Sequence, residues 1–93
     1  MKEIAKIIKY HHERWDGKGY PDGISKEEIP IESRIISVAD AYDAMTSDRP
    51  YRKGMSHEKA VEELIYNAGK QFDSEVVGIF CEISKNRLYY EGV

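Results

Sequence analysis

The sequence predicts an all-α fold with four main helices and one short turn. Apolar residues recur at helical spacing in four segments, most of which are bounded by a capping residue, a proline or a glycine. No segment shows the alternation and β-branched enrichment that indicate a strand. A chain of 93 residues is long enough to bury one hydrophobic core, so we expect a single domain or part of one.

The first predicted helix covers residues 2–13 and is amphipathic. Its apolar stripe contains Ile4, Ile7 and Ile8, and His11 continues the same face. The helix begins without a capping residue, so its first backbone N–H groups have no local partner. Residues 16–23 contain three glycines and a proline, which predict a loop.

A short turn leads into the second helix. Ser25 and Glu28 have the spacing of a capping box, and Pro30 limits that turn. Pro30 also fits the first turn of a helix over about residues 31–46. The residues predicted to face inward from this helix are Ile31, Ile35, Val38, Ala39, Tyr42 and Met45.

Two further helices complete the predicted fold. Ser56 caps a helix over about 57–68, which Gly69 ends. Asp73 caps the last helix, over about 74–88. The residues predicted to pack inward are Val61, Leu64, Ile65, Ala68, Val76, Val77, Phe80, Ile83 and Leu88.

Composition and charge exclude several classes of protein. The net charge of −3 argues against a nucleic-acid-binding or membrane-surface protein, because both favour a basic surface. No apolar run is long enough to span a membrane, and the N-terminus lacks the zones of a signal peptide. Cys81 stands alone, which excludes an internal disulfide and favours a small core residue in a reducing compartment. We therefore expect a soluble, cytoplasmic protein.

Two histidines, two carboxylates and a glycine-proline turn fall within the run from His11 to Pro21. Imidazole and carboxylate are the usual ligands of a catalytic divalent metal ion. Consecutive helical side chains point about 100° apart, so His11 and His12 share an ion only near a helix end, or bind separate ions. The alternative is that His11 packs in the core and His12 is solvated.

Acidic and basic pairs follow on and after the second helix. Asp40 and Asp43 share one helical face and attract a cation, although a solvated flank is equally consistent with the pattern. Arg49 and Arg52 follow that helix, and guanidinium groups bind phosphate oxygens bidentately. The alternative for Arg49 is interaction with the helix C-terminus. Metal ligands combined with a phosphate-binding pair indicate hydrolysis of a phosphate ester.

Together these motifs resemble the HD-GYP subfamily of HD-domain phosphohydrolases. The matching stretches are His11 to Pro21, Ile29-Pro30, Arg34 to Met45, Ser47 to Arg52 and Gly69 to Asp73. The resemblance covers about residues 4–80. It implies an all-helical HD-type domain that hydrolyses the bacterial second messenger cyclic di-GMP with two or three divalent metal ions, iron or manganese.

The resemblance also implies roles for individual residues. The metal ligands that it implies are His11, His12 and Asp40. The residues that it places near the substrate are Arg49 and Arg52, which would contact phosphate, and Asp43. The motif loop beside the site consists of Asp16, Gly17, Gly19, Tyr20 and Pro21, and is also a proposed docking surface for GGDEF cyclase domains.

The chain departs from the family pattern in one respect. The family's His-Asp dyad precedes the His-His helix, and these 93 residues contain no His-Asp pair. His57 is predicted to lie on the surface in the first turn of a later helix. We therefore expect residues 1–93 to correspond to the C-terminal half of an HD-GYP domain. Three hypotheses remain open: part of an active phosphodiesterase, a catalytically inactive interaction module, or a homodimer that covers the isoleucines of the first helix.

Overall fold

The computed structural model describes the backbone of residues 2–91 and the side chains of residues 3–85. It contains the helices α1 (Lys2–Lys9), α2 (Ile31–Thr46), α3 (His57–Tyr66) and α4 (Ser74–Glu91), with a 3₁₀ turn at Lys26–Glu28. No strand forms within the described backbone, which confirms the predicted all-α class. No helix of this part is long and apolar enough to cross a membrane.

Capping residues begin the helices where the sequence predicts. The Ser56 Oγ accepts a hydrogen bond from the Lys59 N–H (3.2 Å). The Asp73 Oδ1 accepts one from the Glu75 N–H (2.9 Å). The Glu28 carboxylate accepts from the Ser25 N–H (3.3 Å), which closes the short turn. Pro30 stands immediately before α2, at its N-cap, and not inside its first turn. Side-chain hydrogen bonds therefore cap the starts of α3 and α4, whereas α2 begins after Pro30 without one.

The first helix ends at Lys9, so the predicted end at residue 13 is wrong. From Tyr10 onward the chain forms a tighter turn, in which the Glu13 N–H donates to the Tyr10 carbonyl (3.1 Å). This turn carries the Glu13 side chain into the interior, where it is only 3% exposed. The two histidines consequently lie in a turn and not on a helix.

The other two boundaries also differ. α3 ends at Tyr66 and not at residue 68, because the Asn67 side chain donates to the Glu63 carbonyl (3.0 Å) and terminates the helix. Gly69, with φ of +80°, then reverses the chain. α4 extends to Glu91 instead of residue 88. The predicted inward contact of Leu88 lies outside the described side chains.

The hydrophobic core lies where α2, α3 and α4 meet. Its buried members are Val38, Leu64, Phe72, Val76 and Val77. Partly buried side chains pack against it from Ala41, Tyr42, Met45, Ala68, Phe80 and Cys81. The predicted burial is wrong for Ile31, Ile35, Ala39, Ile65 and Ile83, which are exposed. Three helices bury only their facing sides, so the outer sides of their apolar stripes stay uncovered within this part of the chain.

A buried ion pair joins α2 to the start of α4. The Arg34 Nη1 donates to the Asp73 Oδ2 (2.9 Å), and the two side chains are 15% and 6% exposed. The Arg34 Nε donates to the Ile29 carbonyl (2.9 Å), and its guanidinium lies 5.8 Å from the centre of the Trp15 ring. Arg34 thus contacts three separate segments of the chain.

Replacement of Asp73 by alanine should leave the largely buried Arg34 guanidinium without its counter-charge and should also remove the cap of α4. We expect the free energy of unfolding to fall by about 3–5 kcal/mol, measured by urea denaturation followed by circular dichroism. Lys9→Ala is the control, because the Lys9–Asp22 pair (3.6 Å) is exposed to water and should contribute little. Equal effects of the two substitutions would contradict the structural role of the buried pair.

Candidate functional site

A surface cavity of about 480 Å³ lies between the end of α1, the loop that follows it, and α2. Its lining consists of His11, His12, Glu13, Arg14, Lys18, Gly19, Tyr20, Ser37, Asp40, Ala41 and Gln71. The cavity brings together three of the regions that the sequence singles out, namely the histidine pair, the motif loop and the acidic face of α2.

His11 faces Asp40 across this cavity. The His11 Nε2 lies 3.8 Å from the Asp40 Oδ2, and the other ring nitrogen, Nδ1, is hydrogen-bonded to the Ile8 carbonyl. Because a carbonyl only accepts, Nδ1 carries the proton in the neutral ring, and Nε2 is left as an electron-pair donor. His11 therefore lies at the cavity. The alternative interpretation of the sequence, in which His11 packs in the core, does not describe this structure.

His12 is exposed, as the alternative interpretation of the pattern expected, and its ring lies next to two others. Its ring centre lies 3.8 Å from that of His11, tilted by 42°, and 5.0 Å from that of Tyr20, which is nearly parallel at 17°. The two imidazoles approach each other because α1 ends before them, so the divergence of consecutive helical side chains does not apply. Tyr20 is 60% exposed and covers the outer face of His12.

The motif loop is fixed by backbone and side-chain bonds. The N–H groups of Trp15 and Asp16 donate to the carbonyls of Gln71 (3.0 Å) and Lys70 (2.9 Å) in the connection between α3 and α4. Asp16 also accepts two hydrogen bonds from Arg14, at 3.1 and 2.9 Å. These bonds to Arg14 hold the pKa of Asp16 below its usual value.

Glycines allow the loop to lie close to the histidine turn. A Cβ on Gly19 would lie 2.5 Å from the His12 carbonyl oxygen and 2.6 Å from the Arg14 nitrogen. These neighbours are backbone atoms, which cannot move aside by rotation of a side chain. Gly17 has a φ of +81°, in the region that favours glycine.

The predicted substrate-side residues do not line this cavity. Arg49 and Arg52 pair with each other through their backbones, with N–H to carbonyl distances of 2.8 and 3.2 Å. The Arg52 Nη2 donates to the Ala44 carbonyl (3.0 Å) near the end of α2. Asp43 accepts from the Ser47 hydroxyl (3.3 Å). The helix-end interaction that the sequence suggested for Arg49 is thus made by Arg52.

Several lining residues were missed by sequence reasoning. Ser37 precedes Asp40 by three positions, so helical spacing from Asp40 was enough to find it. Gln71 lies in the connection between α3 and α4, within the Gly69 to Asp73 stretch that matches the family, but the resemblance assigned it no role. His57, expected on the surface, is half-buried and is hydrogen-bonded through Nδ1 to the Tyr42 hydroxyl (2.8 Å).

The described residues offer only part of a metal coordination shell. His11 and Asp40 each turn one ligand atom toward the other, whereas a protein-bound divalent ion takes four or more ligands. Among residues 3–85, no group of three or more His, Cys, Asp or Glu side chains is placed to hold one ion. These residues by themselves therefore do not fit the centre of two or three ions that the resemblance implies.

Comparisons with known proteins identify close relatives. The family model of the HD domain matches residues 1–76. A cyclic di-GMP phosphodiesterase of Thermotoga maritima is 47% identical over 81 residues, which are 87% of this chain and 22% of the relative. The 3'3'-cGAMP-specific phosphodiesterase 2 of Vibrio cholerae is 37% identical over 83 residues, 88% of this chain and 16% of the relative.

A solved structure has the same helical arrangement. The crystal structure of a cyclic GMP-AMP specific phosphodiesterase from Vibrio cholerae superimposes with a TM-score of 0.83 at 27% sequence identity. The superposition covers 99% of this chain and 21% of that one. The chain therefore spans about a fifth of the length of the curated relatives that it matches.

Replacement of Gly19 by alanine should force the motif loop away from the histidine turn. We expect the free energy of unfolding to fall by about 1–3 kcal/mol, and contacts between the His12 and Tyr20 rings to disappear from the NMR spectrum. Gly78→Ala in α4 is the matched control. A Cβ there meets nothing within 4 Å, so alanine should keep or raise the stability. A Gly19→Ala chain with unchanged ring contacts would contradict the close approach.

Proposed function

The chain belongs to the HD domain family, as its HD-GYP motifs predict, and we propose that it forms one wall of a phosphodiesterase site that hydrolyses cyclic di-GMP. One observation carries the proposal: a single cavity contains His11, His12 and Asp40, which come from two separate segments. Phosphodiesterases that act on cyclic dinucleotides are among the relatives, which supports this substrate class.

We assign His11, His12 and Asp40 as ligands of a centre of two or three divalent ions, iron or manganese, in which no single ion is held by all three. Imidazole nitrogen and carboxylate oxygen suit both metals. The remaining ligands come from outside residues 3–85, because the described side chains supply too few. When bound, such ions stabilise negative charge on a phosphate and activate water.

The cations near this wall suit a phosphodiester. Arg14 forms an ion pair with Asp16. Lys18 also lines the cavity and has no ion pair among the described residues. We retain Arg49 and Arg52 as phosphate contacts and Asp43 as a substrate-side carboxylate on the strength of the motif. Both arginines are exposed just beyond the helix that carries Asp40. The GGDEF-domain partner likewise stays a prediction, as does the cytoplasmic location.

The 93-residue chain alone should bind iron or manganese weakly and should not hydrolyse cyclic di-GMP, because its ligand set is incomplete. Equilibrium dialysis measures the binding, and chromatography of the nucleotide measures turnover. Tightly held, stoichiometric metal would contradict the prediction, and so would turnover that is lost in Asp40→Ala.

The DNA sequence upstream of the Met1 codon distinguishes part of an enzyme from an inactive interaction module. If residues 1–93 are part of an active phosphodiesterase, the DNA upstream of the Met1 codon should encode an in-frame His-Asp segment. The polypeptide that includes it should hydrolyse cyclic di-GMP, with a loss of more than about 100-fold in His11→Ala and Asp40→Ala. Glu62→Gln, at an exposed position of α3, is the control. The absence of any such segment would favour the inactive module.

A second candidate function is self-association. An apolar groove of about 300 Å³ runs between α2 and α4. Its lining consists of Ile31, Ile35, Val38, Ala39, Val76, Ile79, Phe80 and Ile83. Ile4 and Ile8 of α1 are also exposed. Apolar surface of this kind marks a site of protein contact. The sequence hypothesis placed a second copy of the chain over the isoleucines of the first helix, and we propose that this copy also covers the groove.

Sedimentation velocity at micromolar concentration should give a dimer for the unmodified chain and a monomer for Ile35→Glu, because a buried unpaired charge opposes association. Ile65→Glu is the matched control. Ile65 is equally exposed but lies on α3, outside the groove, so its substitution should preserve the dimer. A monomeric unmodified chain would refute self-association.

A further inference from the structure

We infer that Glu13 is a positioning residue. Its buried carboxylate holds Asp22 and Gly23, which directly follow the motif loop, and thereby keeps the ring of Tyr20 against His12. The inference deepens the proposed function and rests on it, because it concerns how the proposed ligand His12 is oriented. Glu13 itself contacts backbone groups of the loop and is not a catalytic residue.

The burial of Glu13 is the first observation. The side chain is 3% exposed. Glutamate is rarely buried to this extent unless its carboxylate has a partner. Its Oε1 accepts from the backbone N–H groups of Asp22 (2.6 Å) and Gly23 (2.9 Å). One carboxylate oxygen thus accepts from two successive backbone N–H groups, and its removal leaves both groups without this acceptor. The side chain of Glu13 therefore holds Asp22 and Gly23 in place.

The position of these bonds in the chain is the second observation. Glu13 directly follows His12, and the two N–H groups directly follow the Tyr20-Pro21 pair. The bonds therefore bring the two ends of the segment 13–23 together beside His12. Tyr20 belongs to this segment, and its side chain stacks on the His12 imidazole with 5.0 Å between the ring centres.

Other bonds at this end of the loop are weaker or more exposed. The Tyr20 N–H donates to the His12 carbonyl over 3.4 Å. The Tyr10 hydroxyl donates to the Asp22 carboxylate (2.8 Å) at an exposed position, where water competes with it. Glu13 supplies two shorter, part-buried bonds, at 2.6 and 2.9 Å, so it should dominate the order of Tyr20.

Glu13 could hold the loop through the hydrogen bonds of Oε1 or through its negative charge, and the glutamine variant distinguishes these two roles. Oε2 is buried and has no hydrogen-bond partner among the described residues. If the hydrogen bonds of Oε1 are what matters, glutamine preserves them with its amide oxygen and keeps the shape of the side chain. If the negative charge is what matters, glutamine fails as alanine does.

NMR of the 93-residue chain tests the inference without metal or nucleotide. In Glu13→Ala we expect the contacts between the Tyr20 and His12 rings to disappear, and amide hydrogen exchange at Asp22 and Gly23 to accelerate at least about 10-fold. In Glu13→Gln both features should be retained. Glu28→Ala is the matched control, since this exposed carboxylate also accepts from a backbone N–H, but away from the two rings.

Persistent ring contacts in a folded Glu13→Ala chain would overturn the inference. If Glu13→Ala does not fold, Glu13→Gln decides the outcome. Retention of the ring contacts in the glutamine variant supports positioning by hydrogen bonds, and their loss with an unchanged core spectrum overturns it. Because no readout depends on hydrolysis, a failure of the proposed phosphodiesterase activity would be seen separately.

Discussion

The buried pair of Arg34 and Asp73 is the constraint on which the arrangement of the cavity depends. Asp73 accepts from the guanidinium with one oxygen and caps α4 with the other. Arg34 belongs to α2, the helix that carries Asp40, and its guanidinium also lies beside Trp15, which directly precedes the motif loop. A charge in a low-dielectric interior is tolerated only with a well-placed partner, so the geometry of the pair limits how these segments can move.

Close backbone approach provides a second level of organisation. The short α1 places His11 and His12 in a turn, where their rings come within 3.8 Å. The absence of a Cβ at Gly19 lets the motif loop lie against that turn, and Tyr20 then covers His12. The candidate site is therefore built by backbone packing first, with the side chains placed on the surface that results.

The apolar groove and the candidate metal site are both incomplete within the described residues. The apolar groove between α2 and α4 has a lining but no described segment over it. The site likewise offers a ligand pair, His11 and Asp40, that is too small for a metal centre. Apolar surface and metal ligands both gain their energy from what covers them. Both features agree with the proposal that this part of the chain forms one wall of a larger site.

Local patterns in the sequence determined the all-α class, the bounds of α2, the caps at Ser56 and Asp73, and the family. Each depends on neighbours within a turn or two, or on the order of a motif. Tertiary structure alone decided the early end of α1, the exposure of Ile35 and the separation of Arg49 from the cavity. Tertiary structure also assigned partners to Glu13 and Arg34 in distant segments, since a buried charge takes whichever partner packing brings to it.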